Sequence, residues 1–263
     1  MSTPHATPDD LGGLERLGAV QHAYGRDRLP SFGIATNAAK AFDARMLLER
    51  GASVLRAPAS AVDAATDRHA LQTFAPLIPE IVGVRPLLYV DPVDGVARKL
   101  VDSHDVDETL VDSYVAASEA ALAHFAPPED ADDDTRAGCE WLVQLISDLN
   151  KSVGAFGSAE DWDRELAGQI VPMLHDKFDG LDDASADLLF DYFKALGAVV
   201  KKSAAQKARH HAESVDPSLR PEDSLADWAL DHVFHRRPEL SAVSLAVESV
   251  ADLDAALRVL RAR

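Results

Sequence analysis

Two aspartates and a histidine recur at intervals of four residues near the end of the chain. In the segment LADWALDHVFHRR these are Asp227, Asp231 and His235, and the spacing places them on one face of a helix. Carboxylate and imidazole groups bind divalent ions, so this face could hold a metal. A zinc site uses three or four protein ligands, however, and no second segment supplies the remainder. Because large apolar residues occupy the opposite face, the pattern is also that of the solvent side of an amphipathic helix.

A second group of acidic residues and a histidine lies between residues 86 and 108. The turn sequence DPVDG accounts for Asp91 and Asp94, and the start of a helix accounts for Asp105 and Glu108. Asp102, His104 and Asp107 are left without a role, although they lack the glycine and the regular spacing of a calcium loop. We interpret the stretch as a hairpin followed by a helix start, with a metal site as the alternative for these three residues.

The densest positive patch of the chain is the run KKSAAQKARHH, which holds three of the eight lysines. One interpretation is a contact for an anion or a protein partner. The other is an exposed helix end, where cations complement the helix dipole, or an internal counterpart to the acidic middle of the chain. The candidate contact residues are Lys201, Lys202, Lys207, Arg209, His210 and His211.

Motifs that would define a reaction are missing from the sequence. It contains no Gly-rich nucleotide loop, no GxSxG nucleophile motif, no HExxH and no CxxC. The single cysteine, Cys139, lies in a helical pattern and is predicted to be a small buried residue rather than a nucleophile. The sequence therefore leaves open whether the protein is an enzyme and which cofactor it would use.

The chain is strongly acidic, with 44 acidic and 26 basic residues and a net charge of −18. Aspartate dominates the acids and lysine is scarce, a composition typical of proteins adapted to concentrated salt. Residues 86–200 hold 25 acidic and 7 basic groups, whereas residues 1–85 and 201–263 are each neutral. The neutral ends are predicted to be buried or to face a partner. The acidic middle argues against DNA or RNA binding, because nucleic-acid phosphates attract cationic surfaces.

The sequence also bears on the compartment. It has no apolar run of the roughly 20 residues that are needed to span a bilayer. Its first residues lack the basic and apolar regions of a secretory signal, and a single cysteine allows no intrachain disulfide. We therefore expect a cytoplasmic protein without membrane contact, in which residues 1–9 form a flexible leader.

Apolar spacing predicts a mainly α-helical fold of the α+β class. Apolar and β-branched residues flank DPVDG, which predicts one β-hairpin near residues 86–101. The acidic, proline-led stretch PPEDADDD at 127–134 is predicted to be a linker. It separates an N-terminal α+β part at 10–126 from a helical, bundle-like part at 135–263.

Weaker signals complete this outline. The segments FGIA, SVLR and AVSLAV are candidates for one or two further short strands. A final helix is predicted to begin with the capping pair Ser249 and Asp252 and to carry Leu253, Leu257 and Leu260 as its apolar residues.

Two classes of function fit these observations. The first is a cytoplasmic interaction or regulatory protein of a salt-adapted organism, with neutral ends available to a protein partner and the basic run as a contact. The second is an enzyme whose site is assembled from Asp and His groups distant in sequence, with a divalent metal as one option. The absence of any nucleotide, nucleophile or metal motif favours the first class. The oligomeric state is left open.

Overall fold

The structure is a computed structural model, and it describes residues 12–13, 15–16, 19, 22, 33–36, 42–62, 65–91, 95–102, 105–178, 181–247 and 249–262. Helices dominate, and the strands are short and form two small sheets, which confirms the predicted mainly α, α+β class. None of the described helices has the length and apolarity required to cross a bilayer. The predicted leader at 1–9 and His104 lie outside the described residues.

Packing divides the chain into two compact units. The sheet unit comprises residues 1–100 and 211–263, and the helical unit comprises residues 101–210. The sheet unit combines the two ends of the chain, whereas the sequence predicts a division at the linker 127–134. That linker stays a prediction. The helical unit holds 23 acidic and 9 basic residues, so it carries most of the negative charge of the protein.

A four-stranded parallel sheet organises the sheet unit. Its strands are β1 (Gly33–Ala35), β2 (Val54–Pro58), β3 (Glu80–Val84) and β6 (Ala242–Ser244), in the order β1–β2–β3–β6. Helix α1 (Ala44–Glu49) connects β1 to β2, and α2 (Ala65–Phe74) connects β2 to β3. Parallel strands need such crossovers because a tight turn joins only antiparallel strands. Four strands exceed the one or two expected beyond the hairpin, since the sequence patterns indicate β1, β2 and β6 but not β3.

The core of the sheet unit lies between this sheet and its helices. Leu47 of α1 and Leu71 of α2 are almost completely buried against Leu55 and Ile81 of the two central strands. A larger residue does not fit at Gly83, because a Cβ there would lie 2.9 Å from side-chain atoms of both Ala59 and Leu240.

The predicted β-hairpin is confirmed. Strands β4 (Leu88–Val90) and β5 (Ala97–Lys99) pair in antiparallel register, with Leu88 opposite Lys99. The Gly95 amide donates to the Asp91 carbonyl oxygen at 2.8 Å, and Gly95 has φ of +73°, which a glycine adopts without strain.

The helical unit is built from helices around one apolar cluster. Its elements are α3 (Glu108–His124), α4 (Asp133–Ser152), α5 (Ala159–Glu165), α6 (Val171–Lys177) and the long α7 (Asp183–Val215), whose last residues belong to the sheet unit. A π-helical turn, Leu166–Ile170, precedes α6. Pro172 explains it, because a residue without an N–H cannot continue the α-helical ladder of hydrogen bonds.

Two further helices follow in the sheet unit, α8 (Leu225–His235) and α9 (Val250–Arg261). The predicted capping pair of the final helix is present, because Ser249 and Asp252 accept each other's backbone N–H. Asp252 is also buried and binds Lys99 of β5 at 3.0 Å. The start of α9 is therefore tied to the hairpin.

Candidate functional site

The acidic face of α8 is occupied by cations of the chain itself. Arg258 of α9 donates to both carboxylate oxygens of Asp227, at 2.8 and 3.0 Å. Asp231 contacts the His235 Nδ1 atom at 2.9 Å and the Arg236 guanidinium at 3.8 Å. The three predicted ligands therefore do not converge on one point. In the part of the chain that the structure describes, no three His, Cys, Asp or Glu side chains are grouped to hold a metal ion.

The acidic stretch before α3 has structural roles. Asp107, which the sequence left without a role, is the N-cap of α3 and accepts the backbone N–H groups of Thr109 and Leu110 at 3.0 and 3.3 Å. Asp102 is 4% exposed and pairs with Arg209 at 3.4 Å. Of the three unexplained residues, only His104 lies outside the described chain, so the alternative metal site loses two of its ligands to these contacts.

The lysines of the basic run bind the helical unit itself. Lys201 Nζ donates to the Asp105 carbonyl oxygen at 2.7 Å, and Lys202 pairs with the Glu108 carboxylate at 2.6 Å. Lys207 Nζ reaches the Gly154 carbonyl oxygen at 3.4 Å. Together with Arg209, these groups act as counterparts to the acidic segment, which was one of the two interpretations of the run.

The histidines at the end of the run differ from each other. His210 is exposed, and the His211 ring packs against Tyr89 with ring centroids 5.3 Å apart. The role of the run as an anion or partner contact stays a prediction, and His210 is its most accessible histidine.

A serine lies within hydrogen-bond distance of both a histidine and an aspartate in the helical unit. Their arrangement is that of a helix cap and not that of a catalytic triad. The Ser185 hydroxyl donates to Asp182 at 2.7 Å and lies 2.8 Å from His124 Nε2. In a nucleophilic triad the histidine stands between serine and carboxylate. Here the serine stands between them, and Asp182 also accepts the Ser185 backbone N–H at 3.0 Å. These hydrogen bonds lower the pKa of Asp182, which keeps the cap charged.

A buried polar network holds the helical unit together. The hydroxyls of Tyr114 and Tyr192 both donate to Asn150 Oδ1, at 2.7 and 2.9 Å, and Asn150 Nδ2 donates to Ser118 at 2.8 Å. Burial raises the pKa of both tyrosines, so they remain neutral donors. The network fixes the packing of α3, α4 and α7 rather than presenting a reactive group.

An apolar cavity and the single cysteine are two further features of the helical unit. An apolar cavity of about 290 Å³ lies between α6 and α7, with Phe190 of α7 exposed beside it. Cys139 is half-buried on α4 and lines a different depression, so it is less buried than its sequence context predicts.

The final helix exposes the leucines that its sequence pattern predicts as its apolar face. Leu253, Leu257 and Leu260 are 45%, 36% and 47% exposed, and Val250 is 77% exposed. The residues that α9 buries are instead Asp252, Ala255, Ala256 and Val259. The apolar arc of α9 is therefore wider than the core covers, and the four exposed residues form what we call the α9 stripe.

The spacing of the α9 stripe is that of a helix-pairing face. Val250, Leu253, Leu257 and Leu260 alternate steps of three and four residues, as do the core positions of a coiled coil. This spacing is visible in the sequence. Its exposure is not, because the alanine-rich face alongside it is what the sheet unit buries.

Comparison with protein-family models, with curated proteins and with solved structures gives no match. The geometry of the described residues therefore carries the functional argument.

Proposed function

We propose that this protein is an interaction protein whose contact surface is the α9 stripe, and that the stripe pairs with the stripe of a second copy. The exposure of three leucines and a valine on one helix face carries the proposal. Full burial of an exposed side chain of this size contributes about 1.5–3 kcal/mol, so a partner that covers the exposed parts of these residues gains a share of that free energy from each.

Charge complementarity selects an antiparallel second copy as the occupant. Asp254 and Arg261 flank the stripe on the same side. If Leu253 of one copy faces Leu257 of the other, Asp254 lies about 7 Å along the axis from the second copy's Arg261, within reach of an arginine side chain. A parallel pair would instead put this flank of each copy on opposite sides of the interface, so that Asp254 and the second copy's Arg261 would not meet.

The small area of the stripe sets the expected strength. A single helix face of four apolar residues per copy stays below the roughly 1,200 Å² that stable complexes bury. We therefore expect a weak, concentration-dependent dimer, to be followed by analytical ultracentrifugation from about 10 μM to 1 mM protein.

Leu253→Asp tests the apolar contact. The dimer buries this leucine twice, so we expect the dissociation constant to rise at least about 100-fold. Leu48→Asp is the matched control, because Leu48 of α1 is 44% exposed against 45% for Leu253. A monomeric wild-type protein over the whole range, or equal effects of the two variants, would contradict the proposal.

A charge swap tests the orientation. Asp254→Arg and Arg261→Asp should each weaken the dimer by about 3- to 10-fold, since exposed ion pairs contribute about 0.2–1 kcal/mol each and the symmetry makes two. The double variant should restore the wild-type dissociation constant. A double variant weaker than both single variants would rule out the antiparallel arrangement.

We also propose a cytoplasmic, salt-adapted setting for this interaction. The net charge of −18 and the excess of aspartate support it. Salt screens the repulsion between the carboxylates, whose range falls to about 3 Å at 1 M. The free energy of unfolding should therefore rise between dilute buffer and 1 M KCl; a flat or falling dependence would exclude salt adaptation.

The enzyme alternative stays a hypothesis. Asp227 pairs with Arg258 at 2.8 Å and Asp231 lies 3.8 Å from Arg236, so both carboxylates already have counter-charges. No observation on the described residues favours a reaction over an interaction.

A further inference from the structure

A positively charged cavity of about 290 Å³ lies in the sheet unit. Residues from two helices far apart in sequence line it: Arg68, His69 and Gln72 of α2, and His232, Arg236 and Arg237 at the end of α8. None of these described lining residues carries a carboxylate, in a chain whose net charge is −18. The cavity is therefore a local reversal of the charge of the protein.

The counter-charges within the protein cover this cluster only in part. Arg237 is 4% exposed, binds the Glu239 carboxylate and donates to the Ser60 carbonyl oxygen at 3.3 Å. Of the carboxylates that the structure describes, Arg236 reaches Asp231 and Asp216, at 3.8 and 4.0 Å, the outer limit of an ion pair. Among the described residues, the half-buried Arg68 has no ion pair.

The helix dipole explains one half of the cluster and not the other. Cations at the end of α8 are favourable, because a helix has partial negative charge at its C-terminus. Arg68 and His69 lie in the first half of α2, where the dipole does not favour cations. Burial, followed by the charges of Arg237, Arg236 and Arg68, lowers the pKa of His232, so this imidazole titrates in positive surroundings.

We propose that this cavity binds a phosphate group, either as inorganic phosphate or as part of a small phosphate ester. Arginine matches phosphate oxygens with two parallel N–H donors, and Arg68 and Arg236 are placed to use them from opposite helices. The volume exceeds that of phosphate alone and lies at the lower end of small-ligand cavities, roughly 300–1,000 Å³. His69 and Gln72 can then donate to the remainder of an ester.

Titration of the full chain with inorganic phosphate tests the proposal, with chloride exchanged for phosphate so that the ionic strength is constant. Imidazole proton resonances of His232 should shift with saturation, and the pKa of His232 should rise, because a bound anion favours the imidazolium. Glycerol phosphate forms the second arm, with glycerol as its control. Tighter binding of the ester identifies an ester as the ligand, and equal binding identifies inorganic phosphate.

Arg68→Gln and Arg236→Gln should each weaken phosphate binding at least about 10-fold, since they remove charged hydrogen bonds. Arg45→Gln, a change of the same charge at an exposed position of α1 outside the cavity, is the matched control. Both arginines are at least partly exposed, and circular dichroism checks that the variants fold. Equal weakening by Arg45→Gln, or no shift of His232 up to about 10 mM of either probe, would overturn the proposal.

Discussion

Two basic clusters of this acidic protein behave in opposite ways. The run at 201–211 is dense in sequence, yet Lys201, Lys202 and Arg209 each bind the protein itself. The cavity around Arg68 and Arg236 is invisible as a pattern, because its residues come from two distant helices, and its charges are only partly neutralised.

The difference teaches where a charged site should be sought. A local run of cations in an acidic chain has many carboxylates and carbonyl oxygens within reach, so folding satisfies it. Cations that meet only after folding, with too few carboxylates nearby to pair them all closely, repel one another and keep affinity for an anion. We therefore expect spatial convergence to indicate a ligand site in this protein better than density in sequence does.

The largest expected effect is at the buried end of the basic run. Arg209→Gln leaves the Asp102 carboxylate buried without this partner, and should lower the free energy of unfolding by about 2 kcal/mol in urea denaturation. We place it below the usual range for buried pairs because the contact is 3.4 Å long and Arg209 is 15% exposed. Lys202→Gln is the control, since it breaks an exposed pair. Equal losses of stability in the two variants would show that the buried pair of Arg209 contributes no more than the exposed pair of Lys202.

The second effect is on pH dependence and concerns the cavity. The folded state lowers the pKa of His232 below its ordinary value of 6.5, so the unfolded state takes up this proton first. The neutral His232 therefore leaves the free energy of unfolding undiminished above pH 6.5. This free energy decreases as the pH falls below that value. His232→Gln should remove this part of the loss between pH 7.5 and 5.5, and Arg68→Gln should reduce it. Parallel pH profiles for wild type and His232→Gln would contradict the clustering.

The third effect is a change in the free energy of unfolding whose sign is opposite in the two clusters. Arg68→Gln should raise the free energy of unfolding of the ligand-free protein by about 0.5 kcal/mol at low salt, because it removes repulsion at an incompletely paired site. The gain should vanish in about 1 M KCl, where such interactions are screened. Destabilisation at low salt would mean that Arg68 has a structural contact that matters more than the repulsion.

The smallest effect belongs to the exposed lysine of the run. Within the described parts of the chain, Lys207 makes a single 3.4 Å contact, with the Gly154 carbonyl oxygen, so Lys207→Gln should change the free energy of unfolding by less than about 0.5 kcal/mol. A larger loss of stability would show that even the exposed cations of the run stabilise the helical unit.

Local patterns predicted the elements better than their partners. The hairpin and the Ser249 cap depend on residues within a few positions of each other, so the sequence contains all the relevant interactions. Strand β3 is absent from the predictions, and its place in the sheet depends on pairing with β2 and with β6, which is distant in sequence. The sequence pattern predicts the leucines of α9 as the apolar face of that helix. They do lie on one face, but that face is exposed.

By itself the sequence determined the mainly helical class, the hairpin, the Ser249 start of α9 and the concentration of negative charge between residues 86 and 200. Those features follow from composition and from interactions between near neighbours. Only the tertiary structure decided that Asp102 and Arg209 neutralise each other, that α9 buries its alanines instead of its leucines, and that Arg68 meets Arg236. Each of these outcomes depends on which distant surfaces pack together, because burial and charge pairing act through space and not along the chain.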